Sequence, residues 1–214
     1  MLAQPHTPTR RFGVLGGTFD PPHIGHLALA QEVYARRALD RVWFLPTGSP
    51  PHKQGQPISP AQQRRAMVER AIMGDERFAL CDVELERPGP SYTVDTLRQL
   101  RAEWGAETHI CFIVGWDMLA FLPQWHDAPG VLAALDQLAA VHRPGFVEED
   151  EAQPQLERLE AQLPGLRAKL TLLPAPQFDV SSSDLRERVA AGLPIRYLVP
   201  DAVRAYIAEQ ALYR

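Results

Sequence analysis

Gly16-Gly17-Thr18-Phe19-Asp20-Pro21-Pro22-His23-Ile24-Gly25-His26 stands between two runs of different periodicity. Before it, Arg11 to Leu15 is a short apolar segment that reads as a strand. After it, Ile24 to Arg37 places Leu27, Ala30, Val33 and Tyr34 at helical spacing. A strand, a glycine-rich turn and a helix in this order bring helix N–H groups and the positive end of the helix dipole to the turn. That arrangement suits a phosphate. The stretch is neither the dinucleotide G-x-G-x-x-G pattern nor a Walker loop, because no Gly-Lys-Ser/Thr follows.

The same alternation continues along the chain. Arg41 to Leu45, Arg77 to Val83, His109 to Val114 and Leu138 to His142 read as strands. Pro60 to Met73 and Thr93 to Trp104 read as helices, and the tail holds two more, Asp184 to Ala191 and Asp201 to Leu212. Strands alternating with helices predict an α/β fold of the Rossmann-like kind: an open, mostly parallel sheet with helices on both faces and a small helical C-terminal part. Three Pro/Gly-rich stretches, Pro46 to Pro60, Arg87 to Pro90 and Leu122 to Gly130, fall on the edge where such sheets bind ligands. Residues 1–10 read as a flexible lead-in rather than a signal peptide, and residues 11–214 as a single domain. The acidic stretch Glu148 to Pro154 reads as a solvated loop or helix start.

Composition narrows the class. With 214 residues, 45% hydrophobic and 22% charged, the chain is long enough to bury a core without disulfide or metal staples. The formal charge of −4 argues against a general nucleic-acid surface, and no apolar run is long enough to span a membrane. Cys81 and Cys111 lie in strand-like runs and read as free buried thiols, which points to the cytoplasm.

His23 and His26 flank Gly25 where the chain turns into its first helix. Two imidazoles there can donate hydrogen bonds to charge developing on a phosphorus under attack. The same spacing can serve zinc, or belong to an ordinary helix start. Val180-Ser181-Ser182-Ser183-Asp184-Leu185-Arg186 alone reads as a well-capped helix N-terminus with a guanidinium one turn in.

Together these segments resemble the HxGH nucleotidyltransferase superfamily and, in the order of the later ones, the bacterial nicotinate-nucleotide adenylyltransferase family. The likeness runs from about Arg11 to the C-terminus. It implies that His23 and His26 are catalytic, contacting nucleotide phosphates, and that Gly16, Gly17, Thr18, Phe19 and Gly25 line the ATP site. Ser182, Ser183 and Arg186 would complete that site, Ser183 and Arg186 holding the β- and γ-phosphates; Ser183 replaces the family's usual threonine. Lys53, after Pro46 to His52, would face substrate phosphate. Tyr92 and Thr93, within Ser91 to Leu97, would line the pyridine pocket. Asp117 of Gly115-Trp116-Asp117 would contact ribose, and Trp125 of Leu122 to His126 would pack on the nicotinate ring. Val141 to Gly145 and Ile195 to Pro200 also resemble the family, with Arg143 bordering the adenosine site. Trp116 departs from it, since the family more often has a small residue there.

The resemblance implies transfer of AMP from ATP to nicotinate mononucleotide, yielding deamido-NAD and pyrophosphate, by direct in-line attack. Mg2+ would arrive with ATP, held by phosphates and water rather than by protein ligands. Self-association is left open. The rivals are sister transferases acting on pantetheine phosphate, FMN or glycerol phosphate, and a nucleotide sensor without catalysis. Tyr92, Thr93 and Trp125 together weigh against the first, the intact histidines and Arg186 against the second.

Overall fold

The computed structural model describes residues 9–48, 58–142, 149–176 and 178–214. Six strands, β1 (Arg11–Gly17), β2 (Arg41–Pro46), β3 (Phe78–Leu80), β4 (His109–Gly115), β5 (Gln137–His142) and β6 (Leu170–Pro174), form one sheet in the order β3-β2-β1-β4-β5-β6. Every neighbouring pair is parallel. The Rossmann-like expectation is met, with a sheet that is wholly rather than mostly parallel.

Helices cover both faces because the strands are apolar on both sides. Along β4, Ile110, Phe112 and Val114 face one layer, while Cys111 and Ile113 face the other. The first layer packs on α4 (Thr93–Trp104) through Val94, Leu97 and Leu100, on α6 (Ala128–Ala134) through Val131 and Leu132, and on α7 (Glu149–Gln162) through Leu156 and Leu159. The second packs on α1 (Ile24–Arg36) through Ala30 and Val33, and on α2 (Ala61–Ile72) through Val68 and Ile72. Cys81 and Cys111 are free and buried. Helices α9 (Ser182–Ala190) and α10 (Asp201–Glu209) form a third cluster, in which Leu185, Val203 and Ile207 meet Met67 of α2.

Three elements differ from the sequence reading. The expected strand over Arg77 to Val83 keeps only Phe78–Leu80, paired with Val42, Trp43 and Phe44. At this sheet edge Cys81 still donates its N–H to Phe44 at 2.8 Å, and the chain then turns at Asp82 into the short α3 (Val83–Glu86). Strand β6 was not expected: Leu170 directly follows the helical turn α8 (Leu166–Lys169), with no glycine or proline to mark the change. Ala128–Ala134 is helical, capped by Asp127, whose carboxylate accepts from the Gly130 N–H at 3.0 Å. The acidic stretch takes the helix-start reading, opening α7 from Glu149. Among the described residues, no helix is long and apolar enough to cross a membrane. Residues 1–8 of the expected lead-in lie outside the described residues.

Candidate active site

In this strand order the connections leave β1 and β4 toward opposite sides, so a crevice opens beyond their C-terminal ends. A cavity of about 740 Å3 occupies it. One wall is the end of β1 with the turn into α1: Gly16, Gly17, Thr18, His23, Gly25 and His26. The other is built from Glu84, the start of α4 (Tyr92, Thr93), α5 (Trp116–Leu119) with Asp117, and the segment holding Trp125 and His126.

The turn differs in detail from a glycine turn. Gly16 and Gly17 belong to β1 itself, and the left-handed residue is Phe19, at φ 51°. Phe19 is 1% exposed; its ring lies against Gly17, where a Cβ would stand 3.0 Å from Cζ, and meets the His26 ring edge-on at 4.9 Å. Its side chain therefore supports the site from the core. His23 is the N-cap residue of α1. Two first-turn amides are already engaged: Ile24 donates to the Leu198 carbonyl at 3.1 Å and His26 to the His23 carbonyl at 3.0 Å. The turn thus offers a phosphate fewer backbone donors than a bare helix end, and more of the task falls on the imidazoles.

Those imidazoles form one unit. The His23 N–H donates to His26 Nδ1 at 3.2 Å, which leaves the proton of a neutral His26 ring on Nε2. The rings stack at 3.7 Å between centroids. Burial lowers the His23 pKa to about 4. Burial, and then the charge of His23, holds His26 well below the ordinary histidine range. Both rings are neutral hydrogen-bond donors near pH 7. Nδ1 of His23 is buried without a hydrogen-bond partner among the described residues.

The opposite wall is aromatic. Tyr92 stacks on His126 at 4.2 Å, and Trp125 stands edge-on to Phe112 at 6.1 Å. Thr93 is the first residue of α4, after Tyr92 in extended conformation. Behind them Glu84, 4% exposed, accepts from the Thr96 hydroxyl at 2.8 Å and from the Gly48 N–H at 3.4 Å, and burial raises its pKa. Gly48 has to be glycine, since a Cβ there would lie 2.2 Å from the Glu84 carbonyl oxygen. Trp116 is 8% exposed and packs into the core as well as bordering the cavity.

Of the residues singled out in the sequence, Gly16, Gly17, Thr18, His23, Gly25, His26, Tyr92, Thr93, Asp117 and Trp125 share this cavity. Phe19, Ser182, Ser183 and Arg186 are not on its described wall. Helix α9 begins at Ser182, two residues earlier than expected, with Ser181 as its cap accepting from the Asp184 N–H at 3.0 Å. Ser182 Oγ donates to the Pro21 carbonyl at 2.8 Å, and Arg186 to the Asp20 carbonyl at 2.8 Å and to Ser183 Oγ at 3.3 Å. This helix grips the turn into α1 from behind. Lys53 and Arg143 lie outside the described residues. The sequence reading missed Glu84, His126, Phe178 and Val180 on the wall. The last two lie between β6 and α9. Among the described residues, no three His, Cys, Asp or Glu side chains gather as a metal site.

The cytidylyltransferase-like family model matches residues 14–188. A probable nicotinate-nucleotide adenylyltransferase of Dehalococcoides mccartyi is 48% identical over 201 residues, covering 94% of this chain and 96% of that protein. One of Symbiobacterium thermophilum is 48% identical over 204 residues, covering 95% of each. Among solved structures, the nicotinic acid mononucleotide adenylyltransferase of Plasmodium falciparum complexed with NaAD has a TM-score of 0.73 at 18% identity, covering 95% of this chain and 97% of that one; it shares the fold. The chain belongs to the cytidylyltransferase-like family and, within it, to the nicotinate-nucleotide adenylyltransferases.

Proposed function

We propose that the protein transfers AMP from ATP to nicotinate mononucleotide, releasing pyrophosphate and forming nicotinate adenine dinucleotide in NAD biosynthesis. The observation that carries this reading is the stacked, neutral pair His23 and His26 facing an aromatic wall across one cavity. The names of the relatives, and a fold neighbour described as complexed with NaAD, support it.

In the proposed reaction a phosphate oxygen of the mononucleotide attacks the α-phosphorus of ATP in line. The bond from that phosphorus to the bridging oxygen breaks, and its electron pair leaves with pyrophosphate. The attacking oxygen is already anionic, so no general base and no covalent intermediate are needed. His26 Nε2–H and the His23 ring donate to the non-bridging oxygens, where charge increases at the transition state. Gly16, Gly17, Thr18 and Gly25 let the nucleotide lie against β1. Arg186 uses two nitrogens within the protein and retains donors for the β- and γ-phosphates, with Ser183 beside it. Phe19 and Ser182 support the ATP site from behind the turn. Mg2+ would arrive with ATP and supply charge screening for its phosphates.

Tyr92 and Trp125 would enclose the pyridine ring, and the N-terminus of α4 at Thr93 would receive its carboxylate. Asp117 would contact ribose, and Lys53 the acceptor phosphate. The test is incubation with ATP, Mg2+ and either nicotinate or nicotinamide mononucleotide, following pyrophosphate. Release with nicotinate mononucleotide several-fold faster than with the amide is expected. No release with either mononucleotide would overturn the proposal.

A further inference from the structure

Asp20 sits in the middle of the turn between Gly17 and His23 and is only 2% exposed. A carboxylate so deeply placed needs donors on both oxygens. One oxygen accepts from the Ser59 N–H at 3.0 Å, just before α2. The other accepts from the hydroxyl of Tyr213 at 2.6 Å, 193 residues away in sequence. The Asp20 carbonyl meanwhile receives Arg186.

Tyr213 reaches this place by an unusual backbone route. After α10 the chain turns back, with Leu212 N–H donating to the Ile207 carbonyl at 3.0 Å. Both Ala211 and Tyr213 are left-handed, at φ 50° and 64°. Neither is glycine, and such conformations persist where surrounding contacts impose them. Leu212 already anchors the segment in the third core cluster. The Tyr213 ring packs against that cluster, while its hydroxyl meets Asp20, the Ser59 side chain and, at 3.6 Å, the Met67 sulfur. Burial and the neighbouring carboxylate push the phenol pKa up, so it stays a donor throughout the working pH range.

We propose that Tyr213 is a positioning residue for adenylyl transfer: its hydroxyl, through Asp20, holds the turn that presents His23 and His26 to the nucleotide. This rests on the function proposed above. The mechanism is short. Without the hydroxyl, the buried carboxylate has to turn toward another donor or admit water, and Pro21 to His23 move with it. The His23 N–H then leaves the line to His26 Nδ1 that fixes the His26 tautomer.

Tyr213→Phe keeps the ring and removes only the hydroxyl. Its kcat should fall on the order of tenfold, the cost of a hydrogen bond to a charged acceptor, with KM for both substrates within about twofold. Asp20→Asn should show a loss of similar size, and the double variant no more than the larger single loss, because the two act through one contact. Tyr206→Leu removes the ring under Arg70 in the same helical part without touching Asp20, and should keep the parent kcat. In the ligand-free protein, 15N spectra of His26 should show protonated Nε2 in the parent and movement toward an averaged tautomer in Tyr213→Phe. Parent-like kcat in Tyr213→Phe, an equal loss in Tyr206→Leu, or an unchanged His26 spectrum would overturn the inference. A parent that releases no pyrophosphate would overturn the proposed reaction instead, and the His26 spectrum would still decide whether Tyr213 positions the pair.

Discussion

The His23 and His26 rings lie 3.7 Å apart with 31° between their planes, too close for both to carry charge in a buried turn. With the His23 pKa at about 4, the folded protein binds fewer protons than the unfolded chain between pH 4 and the ordinary histidine value of 6.5. The stabilisation from the neutral ring is therefore complete above pH 6.5 and is lost as pH falls toward 4, a change of about 3 kcal/mol for His23 alone. His26 acts in the same direction. Denaturant unfolding at pH 7 and pH 4.5 should show this loss, and replacing both rings by Gln should remove most of it. NMR titration should find neither ring charging between pH 8 and 6.

Gly25 makes room for the first of these rings. A Cβ at this position would lie 3.1 Å from His23 Nδ1, 3.2 Å from Cε1 and 3.4 Å from a Val180 methyl. Gly25→Ala should therefore push the His23 ring off its partner. Alanine favours the helix by roughly 1 kcal/mol, so stability should change little while kcat falls tenfold or more. Calorimetry beside steady-state kinetics separates the two effects; a kcat equal to the parent's would show that the ring adjusts without cost.

The turn into α1 was readable because its chemistry is local: strand, glycines, histidines and helix follow one another within residues 11–37. The same holds for Tyr92 and Thr93, which open a helix that its own apolar spacing announces. The motif puts Phe19 on the substrate side, yet its left-handed backbone turns the ring into the core. Glu84 falls just past the run read as a strand, where an edge of three paired residues and a four-residue helix leave no periodic signal. Tyr213 was beyond reach for a plainer reason. Its partner is 193 residues away, and only packing brings them together.

Arg64 holds the ends of β1 and β2 as one surface. It is 2% exposed and donates to the carbonyls of Ser59 at 3.0 Å, Thr18 at 3.0 Å, Thr47 at 2.7 Å and Gly48 at 3.2 Å. Arg64→Met keeps much of the volume but leaves these buried oxygens without this donor, and removes one of the cations near Asp20. A destabilisation of about 3 kcal/mol or more is expected in denaturant unfolding. Lysine should recover only part of it, because one ammonium cannot span carbonyls from two strand ends. Full recovery by lysine would mean that charge alone matters here.

Acceptor selectivity can be tested at a single backbone atom. Thr93 occupies the first position of α4, and Tyr92 before it has φ −100° and ψ 134°. A proline is tolerated at that helical position, and the extended residue before it is the conformation proline requires. Thr93→Pro thus deletes one N–H from the proposed carboxylate site with the helix kept. If that amide receives the nicotinate carboxylate, KM for nicotinate mononucleotide should rise about tenfold, the worth of a hydrogen bond to a charged group, and KM for the amide substrate should hardly change. Loss of the threonine hydroxyl is controlled by Thr93→Val. Equal effects in the two variants would assign the role to the side chain, and parent-like KM in the proline variant would move carboxylate recognition away from the α4 N-terminus.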